Sequence, residues 1–281
     1  MPLGLYLQTL DHNALVILQY YSLYFVLAAL VLGLRSEHLL GAAAVVLILG
    51  PLIYLLAATT SPGWFSQLPA TLSDKPARIA LELLLTGAYP LVTWSAPVLF
   101  GMWLGRRDLH ATRLRTSLLA GGVVVTAAAA SASVLASTLA LDPESRAWGF
   151  LLSSEPHSQS FIWMAGATGS ACAVLGLLLL AADVAPRLMW PLAATGQLAL
   201  TIYVGHILAM HLTEDLLERE QIANASITVA IFMAAAIALS VAYRAVFGRG
   251  PLEALLSLPY KAALATHRKV AVKKPGRDGP L

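Results

Sequence analysis

An all-α, polytopic transmembrane helix bundle of about seven spans is the fold class this sequence predicts, and three observations predict it. Seven apolar runs of roughly 20 residues fill the chain, each long enough at about 1.5 Å per residue to cross a hydrocarbon core of roughly 30 Å. Of 281 residues, 58% are apolar and 12% charged, with a mean hydropathy of +0.73; soluble domains carry about 25% charged residues. Lysine and arginine, finally, crowd onto alternate loops. Together these exclude a soluble domain.

The runs are Asn13–Leu34, Leu39–Ala58, Ile79–Leu104, Ser117–Leu141, Phe161–Ala182, Trp190–Leu212 and Ala225–Phe247. Backbone groups in lipid must pair within their own segment, so each run is read as a helix. A β-barrel would show alternating segments of about 10 residues, and the sequence has none. Residues 1–247 therefore form one bundle, and 248–281 a basic tail. The start, Met1–His12, has no basic residue and no signal-peptide pattern. It is either a short polar tail or the continuation of further upstream helices.

Orientation follows from the cations. With the tail in the cytoplasm, fourteen fall inside: Arg35, Arg106, Arg107, Arg113, Arg115, Arg187, Arg244, Arg249, Lys261, Arg268, Lys269, Lys273, Lys274 and Arg277. Only four fall outside, namely Lys75, Arg78, Arg146 and Arg219. The outer loops carry acids instead: Asp142, Glu144, Glu155, Glu214, Asp215, Glu218 and Glu220. The expected location is the cell membrane, multi-pass, with residue 1 outside and the C-terminus cytoplasmic. The net charge of +3 then describes a juxtamembrane stripe facing anionic lipid, not a nucleic-acid surface.

Polar residues inside apolar runs cost free energy and so carry information. Glu82 lies about one turn into the third run. At about 100° per residue, Thr86, Tyr89 and Thr93 fall within about 40° of it. Pro90 and Pro97 are expected to kink this helix and free carbonyls. The stripe is either the wall of a polar cavity, with Glu82 a proton acceptor, or a set of self-bonded residues near water. In the sixth run Gln197, Thr201, Gly205 and His211 form one stripe, with Tyr203 and His206 opposite. His206 near mid-membrane is either a neutral histidine bonded to a neighbouring helix or a proton-shuttling or substrate-binding group. The single Cys172 permits neither a disulfide nor a thiolate metal site within the chain, and no metal is expected. Around it, Ala165, Gly169 and Ala173 form a small-residue stripe suited to close helix packing.

Gly196–Leu208, GQLALTIYVGHIL, resembles the signature helix of the YeiB-like bacterial membrane proteins, a domain-of-unknown-function family related to the heparan-α-glucosaminide N-acetyltransferases. Ile17–Ala28, Gly87–Leu109, Glu155–Ser160 and Gly248–Leu256 agree with it in order. The resemblance implies a membrane protein moving an acyl group from cytosolic acyl-CoA to a sugar or lipid acceptor across the membrane. Family members usually begin with further helices that carry a D-x-x-R-G-like motif, and the acetyltransferases place their catalytic histidine and asparagine there. No counterpart precedes Asn13, which implies either the C-terminal portion of a longer protein or a shortened member.

At the matched positions, Arg106 and Arg107, with Arg113 and Arg115 nearby, would bind the phosphates of an acyl-CoA donor or simply anchor the inner face. His157 would act as base toward an acceptor, or be a solvated loop histidine. Tyr89, Trp94 and Trp103 would line an acyl or sugar path, or pack. Gln197, Thr201 and Tyr203 join them as substrate-binding candidates. A transporter or binding protein for a small or lipidic solute would use the same kinked helix and midplane histidine without covalent chemistry. Topology is directly testable. Reporter fusions after Arg115 and Leu281 should read cytoplasm and one after Glu218 outside; an external signal from the Leu281 fusion would overturn the threading.

Overall fold

The computed structural model describes residues 1–12, 14–65, 68–138, 150–213 and 222–258, with the backbone alone at 222–225. It is helical, with no strand among the described residues. The helices are α1 (Pro2–Leu7), α2 (Leu18–Val31), α3 (Ser36–Thr60), α4 (Pro76–Leu81), α5 (Leu91–Leu104), α6 (Thr112–Thr138), α7 (Phe161–Val184), α8 (Pro186–Gly196), α9 (Ala199–Leu212), α10 (Ile222–Phe247) and α11 (Pro251–Leu256). The charges at Asp142, Glu144, Arg146, Glu214, Asp215, Glu218, Arg219 and Glu220 lie outside the described residues, as do Asn13 and the tail cations from Lys261 onward.

Four helices are long and apolar enough to cross a membrane alone: α3, α6, α7 and the Ser226–Phe247 part of α10. At most 22% of each apolar window is buried, so most of that apolar surface faces outward, as a lipid solvent requires. Two bent helix pairs bring the number to six where each pair makes one crossing, which differs from the uninterrupted runs expected. The third run divides at Gly87–Pro90 with a 58° bend between the α4 segment and α5, and the sixth divides at Gln197–Leu198 with a 62° bend between α8 and α9. The first run is helical only over Leu18–Val31, 14 residues, because Ala14–Ile17 are extended or irregular. At about 1.5 Å per residue that helix falls short of a full crossing.

The chain divides into two compact units, Met1–Pro186 and Arg187–Leu281. In the first, α3 packs against α5 and α6 against α7. Leu39, Ala43 and Leu99 bury one end of the α3–α5 seam. The α6–α7 contact is closer still. A Cβ on Gly122 would run into the Ala173 nitrogen and the Gly169 carbonyl, so the small-residue stripe is where the two backbones meet. Arg115, 5% exposed, fastens the same pair by an ion pair to Asp183 and a 3.3 Å bond to the Leu179 carbonyl, and its Nε donates to the Leu109 carbonyl just before α6 at 2.6 Å. In the second unit α9 meets α11. The short tail helix thus returns to the broken sixth run.

Gly122→Ala should destabilise the protein by about 1–3 kcal/mol, the cost of overpacking a seam that cannot open. Gly121→Ala, where an added Cβ meets nothing within 4 Å, should leave the melting temperature unchanged or slightly raised. Equal effects at both positions would show that α6 and α7 are not in backbone contact.

Candidate functional site

The break in the third run organises the site. Its first half ends in a π-type turn, Glu82–Thr86, closed by the Gly87 N–H on the Glu82 carbonyl at 2.9 Å. Wide turns of this kind shift the phase of a helix. Glu82, Thr86, Tyr89 and Thr93 therefore do not share one helical stripe, contrary to the expectation from spacing. The bend falls just before Pro90, which has no N–H to continue the ladder, whereas Pro97 sits inside a continuous α5.

Glu82 is 8% exposed and bonded at both carboxyl oxygens. Its Oε1 accepts from the Tyr20 hydroxyl at 3.1 Å and its Oε2 from the Ala70 N–H at 2.5 Å. Ala70 belongs to a folded loop latched below it. There Asp74 accepts from the Thr71 N–H at 2.8 Å and pairs with Arg78, which also donates to the Leu68 carbonyl at 2.8 Å. The Thr71 N–H chiefly, then the Arg78 guanidinium, hold the Asp74 carboxyl below its ordinary range against an opposing effect of burial. A cavity of about 110 Å³ opens between these groups, with Gln8, Gln19, Tyr20, Arg78, Glu82 and Thr86 on its walls.

The carbonyls freed by the break are met from elsewhere. The Tyr24 hydroxyl donates to the Tyr89 carbonyl at 2.6 Å. The Ala88 carbonyl takes Gln159 Nε2 at 2.8 Å and His157 Nδ1 at 3.2 Å. Gln159, 1% exposed, also accepts from the Thr93 hydroxyl at 2.7 Å. Both His157 and Gln159 hold left-handed backbones, with φ of 61° and 59°, an arrangement that costs a non-glycine residue of order 1 kcal/mol or more. Ser160 ends the segment as the N-cap of α7, accepting the Trp163 N–H at 2.9 Å. Because a carbonyl can only accept, the contact to Ala88 places a His157 proton on Nδ1, and in the neutral imidazole Nε2 then carries the lone pair.

His157 stands edge-on to Tyr89 at 4.9 Å and tilted against Trp163 at 5.6 Å, and Trp94 closes the group at 5.1 Å from Tyr89 and 5.4 Å from Trp163. Glu82, Tyr89 and Trp94 of the third run are thus joined by His157, from the segment before α7, at one end of the first unit. An apolar cavity of about 330 Å³ starts at Trp94 and follows α5 past Pro97 and Phe100 to Leu104. A second, of about 400 Å³, lies between α3, α5, α6 and α7, and Cys172 borders both. An apolar cavity of about 150 Å³ already holds a benzene, so either has room for an alkyl chain. At the far end of α5, Arg106 donates to the Leu34 carbonyl at 2.5 Å and the Leu32 carbonyl at 2.8 Å, capping α2, while Arg107 lies 4.6 Å over the Trp103 ring.

A family model described as an acyltransferase domain matches residues 14–245. The chain belongs to the acyltransferase-domain family. No curated protein and no solved structure matches it. The match spans both units of this acyltransferase-domain chain, and the second holds the remaining predicted positions. His206 lies edge-on to Tyr203 at 5.0 Å and to Phe232 at 6.0 Å. The Thr201 hydroxyl donates to Glu253 Oε2 at 2.5 Å, and its N–H to Oε1 at 2.9 Å. Gln197 sits in the break between α8 and α9, so it does not continue one helical stripe with Thr201. Among the described residues no group of three His, Cys, Asp or Glu side chains converges as a metal site would require.

Tyr20, Tyr24 and Gln159 are site residues that spacing alone did not single out. Their signal was present only as polar groups within the apolar or loop stretches around Ile17–Ala28 and Glu155–Ser160. The loop latch has a pH signature. A carboxyl held low in the fold adds stability above its unfolded value of about 4, and that stability is lost as pH falls through the folded value. Acidification below about pH 4 should therefore loosen residues 68–75, read as faster proteolysis there, and Asp74→Asn should loosen them at neutral pH and flatten the dependence.

Proposed function

We propose that the chain is the membrane-embedded body of an acyltransferase that moves an acyl group from a cytosolic acyl-CoA to an acceptor at the opposite membrane face. The acyltransferase-domain match over residues 14–245 carries the reaction class. The geometry at the break supports a role for His157. With its proton on Nδ1, Nε2 takes the proton of an acceptor hydroxyl or amine. The acceptor atom then bonds to the thioester carbonyl carbon, the carbon–sulfur bond breaks, and the departing CoA thiolate recovers the proton from the imidazolium.

The apolar cavity along α5 fits the acyl chain of such a donor, since it joins the aromatic group around His157 to the arginine end of the helix. In unit one Arg35, Arg106, Arg107, Arg113 and Arg115 gather at that end, which the positive-inside rule assigns to the cytoplasm. Arg107 is the better phosphate ligand of the pair, because Arg106 already holds two carbonyls of α2. A transporter reading is favoured by the two broken spans, a device common where solutes bind at mid-membrane. His206 beside Tyr203 would then face the solute.

Purified protein should be stabilised thermally by acyl-CoA, as any ligand that prefers the folded state requires. Arg107→Gln should weaken that effect more than Arg106→Gln, which should mainly lower basal stability. In a transfer assay His157→Ala should cost about 100-fold or more in rate, the usual size of a general-base contribution, while His206→Gln keeps activity. Absence of stabilisation by any acyl-CoA, with no acyl transfer by the unsubstituted protein, would reject the enzyme reading and leave the transporter; transfer at the full rate in His157→Ala would remove His157 as the base.

A further inference from the structure

We propose that the cavity between α3, α5, α6 and α7 is a binding site for an anionic phospholipid, with one alkyl chain in the cavity and the phosphate on Arg113. The site stands whether or not the chain transfers acyl groups. The cavity extends from Leu40 to Leu47 on α3, from Ser117 to Val125 on α6 and from Ala165 to Cys172 on α7. Eight residues of α6 give it a length of roughly 12 Å. Its volume of about 400 Å³ is well above the roughly 150 Å³ that holds a benzene. Beyond Ser117 little in the lining invites water. The Thr168 hydroxyl already donates to the Met164 carbonyl at 2.8 Å, and a thiol such as Cys172 is a weak partner. A Cβ added to Gly121 meets nothing within 4 Å, so the α6 wall is open to an occupant, whereas at Gly122 it would strike α7.

Charge enters at the Ser117 end. Of the five arginines at this end of the first unit, four are engaged. Arg35 pairs with Glu37 at 2.9 Å, Arg106 holds the Leu32 and Leu34 carbonyls, Arg107 covers the Trp103 ring and Arg115 pairs with Asp183. The exposed guanidinium of Arg113 has no hydrogen bond, ion pair or ring contact among the described residues. Arg113 stands one turn before Ser117, a spacing that puts both on one face of α6. A cation in the first turn opposes the helix dipole, and α6 has no acidic residue there to offset it. A phosphate at this place removes the conflict. A soluble anion would leave the apolar cavity unfilled, and a zwitterionic headgroup would bring a second cation to Arg113. In an acyl-CoA the long pantetheine arm separates phosphate from acyl chain, but Arg113 lies only about 6 Å along the helix from the rim. A phospholipid, with its phosphate one glycerol away from its chains, fits that separation.

The test uses the full chain in phosphatidylcholine nanodiscs that carry a minor fraction of a probe lipid with a diazirine in one alkyl chain. The probe is phosphatidylglycerol in one arm and phosphatidylcholine in the other, and labelled residues are mapped by mass spectrometry after illumination. The phosphatidylglycerol probe should label the cavity walls and saturate as its fraction rises. The phosphatidylcholine probe should label the outer apolar surface in proportion to its fraction. Gly121→Leu should abolish the cavity labelling, and Ala44→Phe, from the α3 wall, should do the same if Gly121→Leu does not fold. Arg113→Gln should weaken phosphatidylglycerol binding about tenfold or more, as loss of a charge-assisted bond requires. Gly101→Leu, at an equally open glycine of the neighbouring cavity along α5, should leave the labelling intact. Equal cavity labelling by both probes, or labelling that ignores Arg113→Gln or every folded cavity variant, overturns the proposal. Displacement of the label by palmitoyl-CoA also overturns it, since the cavity would then belong to the acyl donor and the enzyme reading would gain.

Discussion

Two carbonyl oxygens, those of Ala88 and Tyr89, set the terms for the first unit. A helix break inside an apolar span releases backbone acceptors where water is scarce, and each must be given a donor from the protein. Tyr24 from α2 supplies one, and Gln159 with His157 from the segment before α7 supplies the other. That requirement places three separate parts of the chain around one point. It also explains the left-handed backbone at His157 and Gln159: both side chains must reach the same carbonyl from positions two residues apart. The strain is offset by three hydrogen bonds on the Gln159 side chain and by the Ser160 cap that follows.

Glu82 is the second consequence of the same break. A regular α-helix through Glu82–Thr86 would have kept its carbonyls bonded to amides four residues on. The wider turn lets Gly87 close on Glu82 and turns its carboxylate toward Tyr20 and the latched loop. Charge at membrane depth is tolerated where it is hydrogen-bonded and faces protein. The polar cavity is therefore the space left when a carboxylate and a helix end are both satisfied laterally.

Much of the architecture was legible in sequence because bilayer thickness imposes a length, and length survives without an alignment. Seven apolar runs were visible for that reason, and so was a kink near Pro90. The positions of Glu82, Tyr89, Trp94 and His157 stood out as polar or aromatic groups in unusual places. What pairs with them was not legible. Gln159 reaches Ala88 across 71 residues, and Tyr20 reaches Glu82 across 62. Helical spacing speaks only for residues on one uninterrupted helix, so the stripe from Glu82 to Thr93 failed where the helix changed phase. The first run also overstates its helix, since apolar residues at 14–17 pack without helical hydrogen bonding.

The second break shows the same logic with opposite chemistry. No proline stands at Gln197–Leu198, and Pro191 lies inside α8 without ending it. What α9 needs at its start is an acceptor for unpaired N–H groups, and a carboxylate at a helix N-terminus is the favourable choice. Glu253 provides it from α11, with Gly250 leaving the room that a Cβ would fill. Burial pushes the Glu253 carboxyl up, but the Thr201 hydroxyl and N–H outweigh that and hold it below its ordinary range. Its contribution is therefore present above the unfolded carboxyl value and is lost as pH falls through the folded one. In the first unit the break exposes carbonyls and draws hydroxyl, amide and imidazole donors; in the second it exposes amides and draws a carboxylate. Which end of a helix is left open decides which side chain closes it, and in both cases that side chain comes from more than fifty residues away.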